Sequence, residues 1–212
     1  MTPKQIYYEN AAATIIKGLE KRQMEGYYCP DRTSAVAKAL ELMPEGSSIA
    51  WGGSMSLHES GLMEAVCHGP YKIIDRESAK TPEEQRQLYG KIACCDYFLM
   101  STNAITMDGE LVNIDGRGNR LAAMVYGIGK TVYIVAGTNK ICPDFDSALS
   151  RARNTAAVQN MRFDGDQPCH ELGRCVDCRS KSRGCNALLV LWGQMMDMAK
   201  VEVVLIDEPL GL

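Results

Sequence analysis

Short apolar runs alternate with helical patterns along most of this chain of 212 residues, and this alternation constrains the fold more than any other feature. Candidates for buried strands lie at 47–51, 71–74, 96–101, 110–114, 131–136, 187–192 and 201–206. Residues 4–22, 32–43, 57–66, 81–92, 119–126 and 144–157 have the spacing or composition of helices. The pattern predicts an α/β domain with a mainly parallel sheet that is covered by helices on both faces.

Several residues predict where the helices begin and end. Asp31 is a candidate cap for the second helix, and Thr81 precedes a Pro-Glu-Glu run that suits a first helical turn. Gly26 follows the first helical pattern, and we expect it to end that segment.

The charge balance limits the classes of partner. Lysine and arginine number 23 against 26 acidic residues, which gives a net charge of −3. A mildly acidic chain without a basic run argues against binding to nucleic acid or to an anionic membrane. The apolar run at 187–192 is too short to span a bilayer, and the first residues lack the pattern of a secretory signal. We therefore expect one cytoplasmic domain over residues 1–212.

The segment 163–186 breaks the alternation of strands and helices and concentrates cysteine. Four of the nine cysteines lie there, in the spacing Cys169-x5-Cys175-x2-Cys178-x6-Cys185. The segment has almost no aliphatic residues, so it cannot form a core of its own. Because cytosolic cysteines seldom form disulfides, these four thiols are candidate metal ligands, in a loop inserted before the last strands.

The spacing of the four thiols favours a 4Fe–4S cluster over zinc. Structural zinc sites usually contain two C-x2-C pairs, whereas this loop contains one. The loop also resembles the cluster loop of endonuclease III-type glycosylases, which carries 4Fe–4S. Basic residues between the cysteines would offset the negative charge of four thiolates on a metal centre. These residues are Arg174, Arg179, Lys181 and Arg183. Zinc, or four free thiols, are the alternatives.

Two glycine-rich turns could bind a small anion. The first turn, Gly52-Gly53-Ser54, joins a strand to a helix, where free backbone N–H groups attract negative charge. The second turn runs from Asp115 through Gly116 and Gly118 to Asn119 and Arg120. It lacks the third glycine of a dinucleotide fingerprint, so we do not interpret it as one. Asn103 follows the strand at 96–101, and ligands of open α/β sheets gather at such strand ends. Ordinary turn and capping roles are the alternative for all these residues.

Four segments together resemble the LUD domain, the lactate utilization domain. They are GGSMSLHESGL, DYFLMSTNAITMDGELVNIDGRGNRLAAMVYG, TVYIVAGTNKI and VEVVLIDEPLG, and the resemblance covers about residues 10–212. It implies a fold similar to the ribose-5-phosphate isomerase and CoA-transferase superfamily. It also implies a role in oxidising L-lactate to pyruvate beside iron–sulfur partner proteins. By position in these motifs, Glu59 joins the candidate ligand residues.

Three functions are consistent with these patterns. The favoured one is an iron–sulfur redox component that acts on L-lactate or a related small hydroxy acid. The main alternative is a ligand-binding or transferase-type enzyme, whose cleft holds a phosphate, CoA or carboxylate and whose cysteine loop is a zinc clip. A redox-sensing interaction protein is the third. The patterns assign no catalytic residue.

Overall fold

The computed structural model of the chain describes residues 1–160 and 166–212. Its main sheet has six strands, all parallel, in the order β1-β10-β7-β4-β2-β3. These strands are β1 (Glu25–Cys29), β2 (Ser48–Trp51), β3 (Lys72–Ile73), β4 (Tyr97–Met100), β7 (Thr131–Gly137) and β10 (Lys200–Ile206). The prediction of an α/β domain with a mainly parallel sheet is confirmed.

Helices cover both faces of this sheet, as predicted. One face packs against α1 (Pro3–Lys21), α5 (Pro82–Ala93) and α6 (Asn119–Val125). The other face packs against α2 (Arg32–Leu42), α3 (Met55–Glu59) and α4 (Leu62–His68). Successive strand residues point to opposite faces of the sheet. Val132 and Ile134 of β7 lie in the first core, under α1, α5 and α6, whereas Tyr133 and Val135 lie in the second core, under α2, α3 and α4.

A second, four-stranded sheet packs against the first core. Its order is β8-β5-β6-β9, and it consists of β5 (Ala104–Thr106), β6 (Leu111–Asp115), β8 (Ile141–Cys142) and β9 (Ala187–Leu191). Strand β6 pairs antiparallel with both β5 and β9. Ile105, Leu111 and Leu191 face the main sheet, whereas Ala104 and Val112 face a third core under α7 (Phe145–Arg151).

The chain between β8 and β9 carries the cysteine segment. Helix α7 continues through a π-helical turn at Ala152–Ala156 into α8 (Ala157–Gln159), and α9 (Pro168–Leu172) follows. Residues 163–165 of the predicted cysteine loop lie outside the described residues. Among those described, no helix is both long and apolar enough to cross a bilayer.

The helix caps follow the prediction, but one glycine has another role. Asp31 and Thr81 each accept a hydrogen bond from the backbone N–H three residues on, in capping boxes of α2 and α5. Helix α1 ends at Lys21, so the prediction that Gly26 ends it is wrong. Gly26 lies in β1, where a Cβ would stand 2.9 Å from side-chain atoms of Ile16 and Leu19. Glycine therefore lets α1 pack closely on the edge strand.

Candidate functional site

A cavity opens to solvent at the carboxyl ends of β2 and β4. Strand β4 lies beside β2 although it follows β3 in the chain, so the strand order reverses between β2 and β4. Such a reversal leaves a crevice outside the strand ends, which is where open α/β sheets bind ligands. Ser54, Ser101, Thr102 and Asn103 line this crevice.

The first glycine turn brings backbone close to a cationic side chain. A Cβ on Gly52 would lie 2.6 Å from Cγ of Arg120, so glycine there lets the arginine cross the turn. Ser54 caps α3, its Oγ accepting from Leu57 N at 3.4 Å, and its side chain is buried at the cavity wall. The turn therefore shapes the cavity and places Arg120 in it.

Asp115 organises the second turn. Its carboxylate accepts hydrogen bonds from the backbone N–H groups of Arg117, Gly118 and Arg120 at 3.1, 3.2 and 3.2 Å. It also pairs with the Arg120 guanidinium at 3.4 Å, and both side chains are largely buried. The guanidinium in turn donates to the carbonyls of Ser101 and Ile114. Because of these bonds, Arg120 is held in one orientation at the cavity wall.

A buried lysine adds a second cation. Lys140 lies in the turn after β7 and is 3% exposed. Its Nζ donates to the carbonyls of Thr102 and Leu212 at 3.2 and 3.0 Å. Burial, together with the charges of Arg151 and Arg120, lowers the pKa of Lys140 from 10.5 to about 7, whereas Glu59 acts in the opposite direction. A negative ligand would stabilise the protonated form.

All four cysteines of the loop line the same cavity. Cys169 lies on α9, and the other three lie in the segment between α9 and β9. Burial raises the pKa of the Cys169 thiol, and the neighbouring Cys178, Cys185 and Cys175 raise it further. The four cysteines therefore lie around one cavity, beside residues of both glycine turns.

Arg183 holds the backbone of the cysteine loop. It donates to the carbonyls of Cys185 and Cys178 at 3.1 and 2.9 Å. Asp177 lies 3.3 Å from Arg183 and 3.4 Å from Arg153, so it links the loop to the π-helical turn. The described cavity lining contains four cationic side chains, Arg120, Lys140, Arg153 and Arg183, and one carboxylate, Asp177. This excess of positive charge favours an anion.

The chemistry of the donor set fits a thiolate-bound metal centre, although the thiols are not in a closed ligand arrangement. All nine cysteines are free thiols. Over residues 1–160 and 166–212, no group of three or more His, Cys, Asp or Glu is placed to hold a metal ion. Four thiols around one positively charged cavity nevertheless match the ligands that 4Fe–4S and zinc require. Cys169, Cys175, Cys178 and Cys185 are the residues that would hold either centre.

Comparison with known proteins agrees with this architecture. The chain matches the LUD domain over residues 12–206. It belongs to the LUD domain family. Membership relates the chain to lactate utilization. The matched range includes both glycine turns and the cysteine loop.

A solved structure has a similar fold. It is a crystal structure of a DUF162 family protein from Deinococcus radiodurans, with a TM-score of 0.54 and 12% sequence identity. The match covers 93% of this LUD chain and 97% of the other chain. No curated protein matches the sequence significantly. The further likeness to the ribose-5-phosphate isomerase and CoA-transferase superfamily stays a prediction.

The structure brings most of the predicted ligand residues to two adjoining surfaces. Gly53, Ser54, Asn103 and Arg120 line the cavity. A wider groove shares Gly53 and Arg120 with the cavity and is lined also by Asp115, Gly116 and Asn119.

Gly52, Gly118 and Glu59 belong to neither lining, and their contacts give them supporting roles. Gly118 caps α6 with a φ of 80°, and Glu59 accepts a hydrogen bond from Gly211 N at 2.7 Å. Sequence reasoning missed Lys140, Arg153 and Gln167 of the cavity. The position of Lys140 directly after the clear strand β7 was the one signal available.

Proposed function

We propose that this LUD domain is an iron–sulfur component in the oxidation of L-lactate or a related small 2-hydroxy acid. The observation that carries the proposal is that the four thiols and the cationic residues line one cavity. A 4Fe–4S cluster bound by the thiols would carry one electron at a time. Oxidation of a hydroxy acid to the 2-oxo acid releases two electrons and two protons, so an iron–sulfur partner protein would take up the electrons.

The chain's own residues account for binding of the acid. Lys140 and Arg120 present positive charge from elements outside the cysteine loop, at the carboxyl ends of the sheet strands. A carboxylate that enters the cavity would gain charge-assisted hydrogen bonds there. The buried hydroxyl groups of Ser54 and Thr102 supply further polar contacts. The proposed ligand is therefore a small anion.

A second candidate function follows because the four cysteines and the two cations, Lys140 and Arg120, belong to different segments of the chain. Because Lys140 and Arg120 donate to backbone carbonyls outside the cysteine loop, the cavity could bind an anion with zinc as a structural clip. The chain would then be a binding or transferase-type enzyme that takes a phosphate, CoA or carboxylate. The two candidates differ in the metal and in what its loss does to ligand binding.

Anaerobic purification followed by metal and sulfide analysis tests the proposal. We expect a brown protein with about four irons per chain and an absorption band that bleaches on reduction. An iron–sulfur partner protein should reoxidise the reduced protein. The wild-type protein should also bind L-lactate. A colourless protein that contains zinc would refute the redox role and support the clip.

A matched pair of variants connects the metal to the loop. Cys178→Ser should lose most of the iron because it removes a thiolate ligand. Cys94→Ser changes an exposed cysteine that follows α5, and it should keep the full metal content. Equal iron content in the two variants would show that the cysteine loop does not hold the metal centre.

A further inference from the structure

Three consecutive backbone carbonyls at the end of β4 accept hydrogen bonds from cationic side chains of three different elements. The pairs are Arg120 with Ser101 at 3.3 Å, Lys140 with Thr102 at 3.2 Å, and Arg151 with Asn103. Hydrogen bonds to charged donors are the stronger ones, so they fix this stretch of the cavity wall.

The side-chain amide of Asn103 has a defined orientation in this wall. Its Oδ1 accepts a hydrogen bond from the backbone N–H of Ile114 at 2.7 Å. A backbone N–H can only donate, so the amide oxygen has to be on that side and the Nδ2 group on the other. The two N–H donors of Nδ2 are therefore directed away from the Ile114 backbone.

The Nδ2 group of Asn103 is accessible to a ligand. It has no hydrogen-bond partner among residues 1–160 and 166–212. It is also not among the unpaired side-chain atoms that these residues seal from solvent, whereas the amide of Asn113 is. Asn103 is half-buried and lines the cavity but not the wider groove, so this donor opens on the cavity.

The neighbouring groups indicate which atom of the ligand meets this donor. Lys140 and Arg120, bound to the two preceding carbonyls, line the cavity and attract a carboxylate. The Asn103 amide carries no charge, and it matches a neutral oxygen acceptor. A 2-hydroxy acid has such an oxygen on the carbon next to its carboxylate, and the amide is likewise on the residue next to the two that the cations bind.

We propose that Nδ2 of Asn103 donates a hydrogen bond to the oxygen on the second carbon of the bound acid. This inference rests on the proposed function and names the residue that selects carboxylates with an oxygen at that carbon. A hydroxyl oxygen and a carbonyl oxygen can both accept this bond, so the donor holds the acid before and after its oxidation. An acid without that oxygen leaves the donor unpaired and binds less tightly.

Calorimetric titration of the anaerobically purified full chain, without an electron acceptor, tests the inference. The probes are L-lactate, pyruvate and propionate, which share a three-carbon carboxylate and differ at the second carbon. We expect the wild-type protein to bind L-lactate and pyruvate each about tenfold more tightly than propionate.

Asn103→Asp reverses the polarity of this contact and keeps an acceptor for the Ile114 N–H. Its added negative charge weakens the binding of all three acids alike, and that effect cancels in the ratios of their affinities. The hydroxyl group of L-lactate can donate to the new carboxylate oxygen, whereas the carbonyl oxygen of pyruvate is repelled by it. The ratio of the affinity for L-lactate to that for pyruvate should therefore rise about tenfold.

Asn154→Asp is the matched control. Asn154 is exposed on the π-helical turn and does not line the cavity, so its replacement adds the same charge and should keep the wild-type ratios. An unchanged ratio of L-lactate to pyruvate in Asn103→Asp would overturn the inference, while binding of L-lactate by the wild-type protein leaves the proposed function standing. Failure of all three acids to bind the wild-type protein would overturn both.

The wild-type titration also decides the matter if Asn103→Asp does not fold. Equal affinities for the three acids would show that no donor in the cavity recognises the oxygen on the second carbon. Asn103→Ala provides a second variant, because it removes the amide without adding charge. It should bind the three acids with similar affinities, and a preference for L-lactate and pyruvate as large as in the wild type would contradict the proposal.

Discussion

Replacement of Lys140 by methionine should change how the stability of the fold depends on pH. The wild-type ammonium is 3% exposed and lies near two further cations, Arg151 and Arg120. These surroundings lower the pKa of Lys140 from 10.5 to about 7. Since one pKa unit corresponds to about 1.4 kcal/mol, the charged form costs the folded state up to about 5 kcal/mol.

The sign of the effect follows from proton binding in the two states. Between pH 7 and 10.5 the unfolded chain holds the Lys140 proton and the folded chain releases it, so the stability of the wild-type protein rises with pH. Below the folded pKa of Lys140 the full penalty applies, and above the unfolded pKa it disappears. From about pH 6.5 to about pH 9.5, this one group should contribute a gain of at most about 3 kcal/mol.

Urea denaturation of the wild-type protein and of Lys140→Met at those two pH values measures the effect. The methionine variant lacks the donor to the Thr102 and Leu212 carbonyls, which should cost a similar amount at both pH values. As the pH rises, the unfolding free energy of the wild-type protein should therefore increase relative to that of Lys140→Met. Lys17→Met, which removes an exposed lysine from α1, should keep the wild-type dependence. Parallel curves for the wild type and Lys140→Met would refute the reasoning.

Three further substitutions test the local arguments. Asp115→Ala should lower the unfolding free energy by about 3 kcal/mol in urea denaturation, because three backbone donors and a buried arginine lose their acceptor, and Asp115→Asn should cost less. Gly18→Ala should lower the melting temperature in calorimetry, since its Cβ would stand 2.5 Å from the Asp108 carbonyl oxygen. The resulting strain of about 1–3 kcal/mol exceeds the helix-propensity gain of about 1 kcal/mol, and a rise in melting temperature would contradict this. Arg183→Met should speed hydrogen exchange in the cysteine loop and leave β7 unaffected, because two loop carbonyls lose their donor.

The central strands could be predicted from the sequence because local composition dominates there. Strands β4, β7 and β10 are apolar runs that are buried on both faces, which is the pattern a parallel sheet imposes. Strand β1 escaped prediction because it lies at the sheet edge and has only one buried residue, Cys29. The two-residue strand β8 is defined by its pairing with β5 and has no pattern of its own.

The candidate site was predictable only in part. The cysteine spacing and the glycine turns could be recognised in the sequence because each is a local pattern of residue types. Lys140 and Gln167 did not, since a lysine or glutamine in a polar stretch looks like a surface residue. Their importance comes from burial and from the hydrogen bonds that orient them, and both depend on distant segments.

The sequence by itself determined the layered α/β fold, the helix caps and the grouping of four thiols in one late segment. Each of these depends on residues close together in the chain, through side-chain periodicity, turn chemistry and spacing. Only the tertiary structure decided that the thiols, Arg120, Lys140 and Gln167 share one cavity. That arrangement depends on strand order, because β2 and β4 are neighbours in the sheet although β3 lies between them in the chain, and the loops beyond their ends then meet.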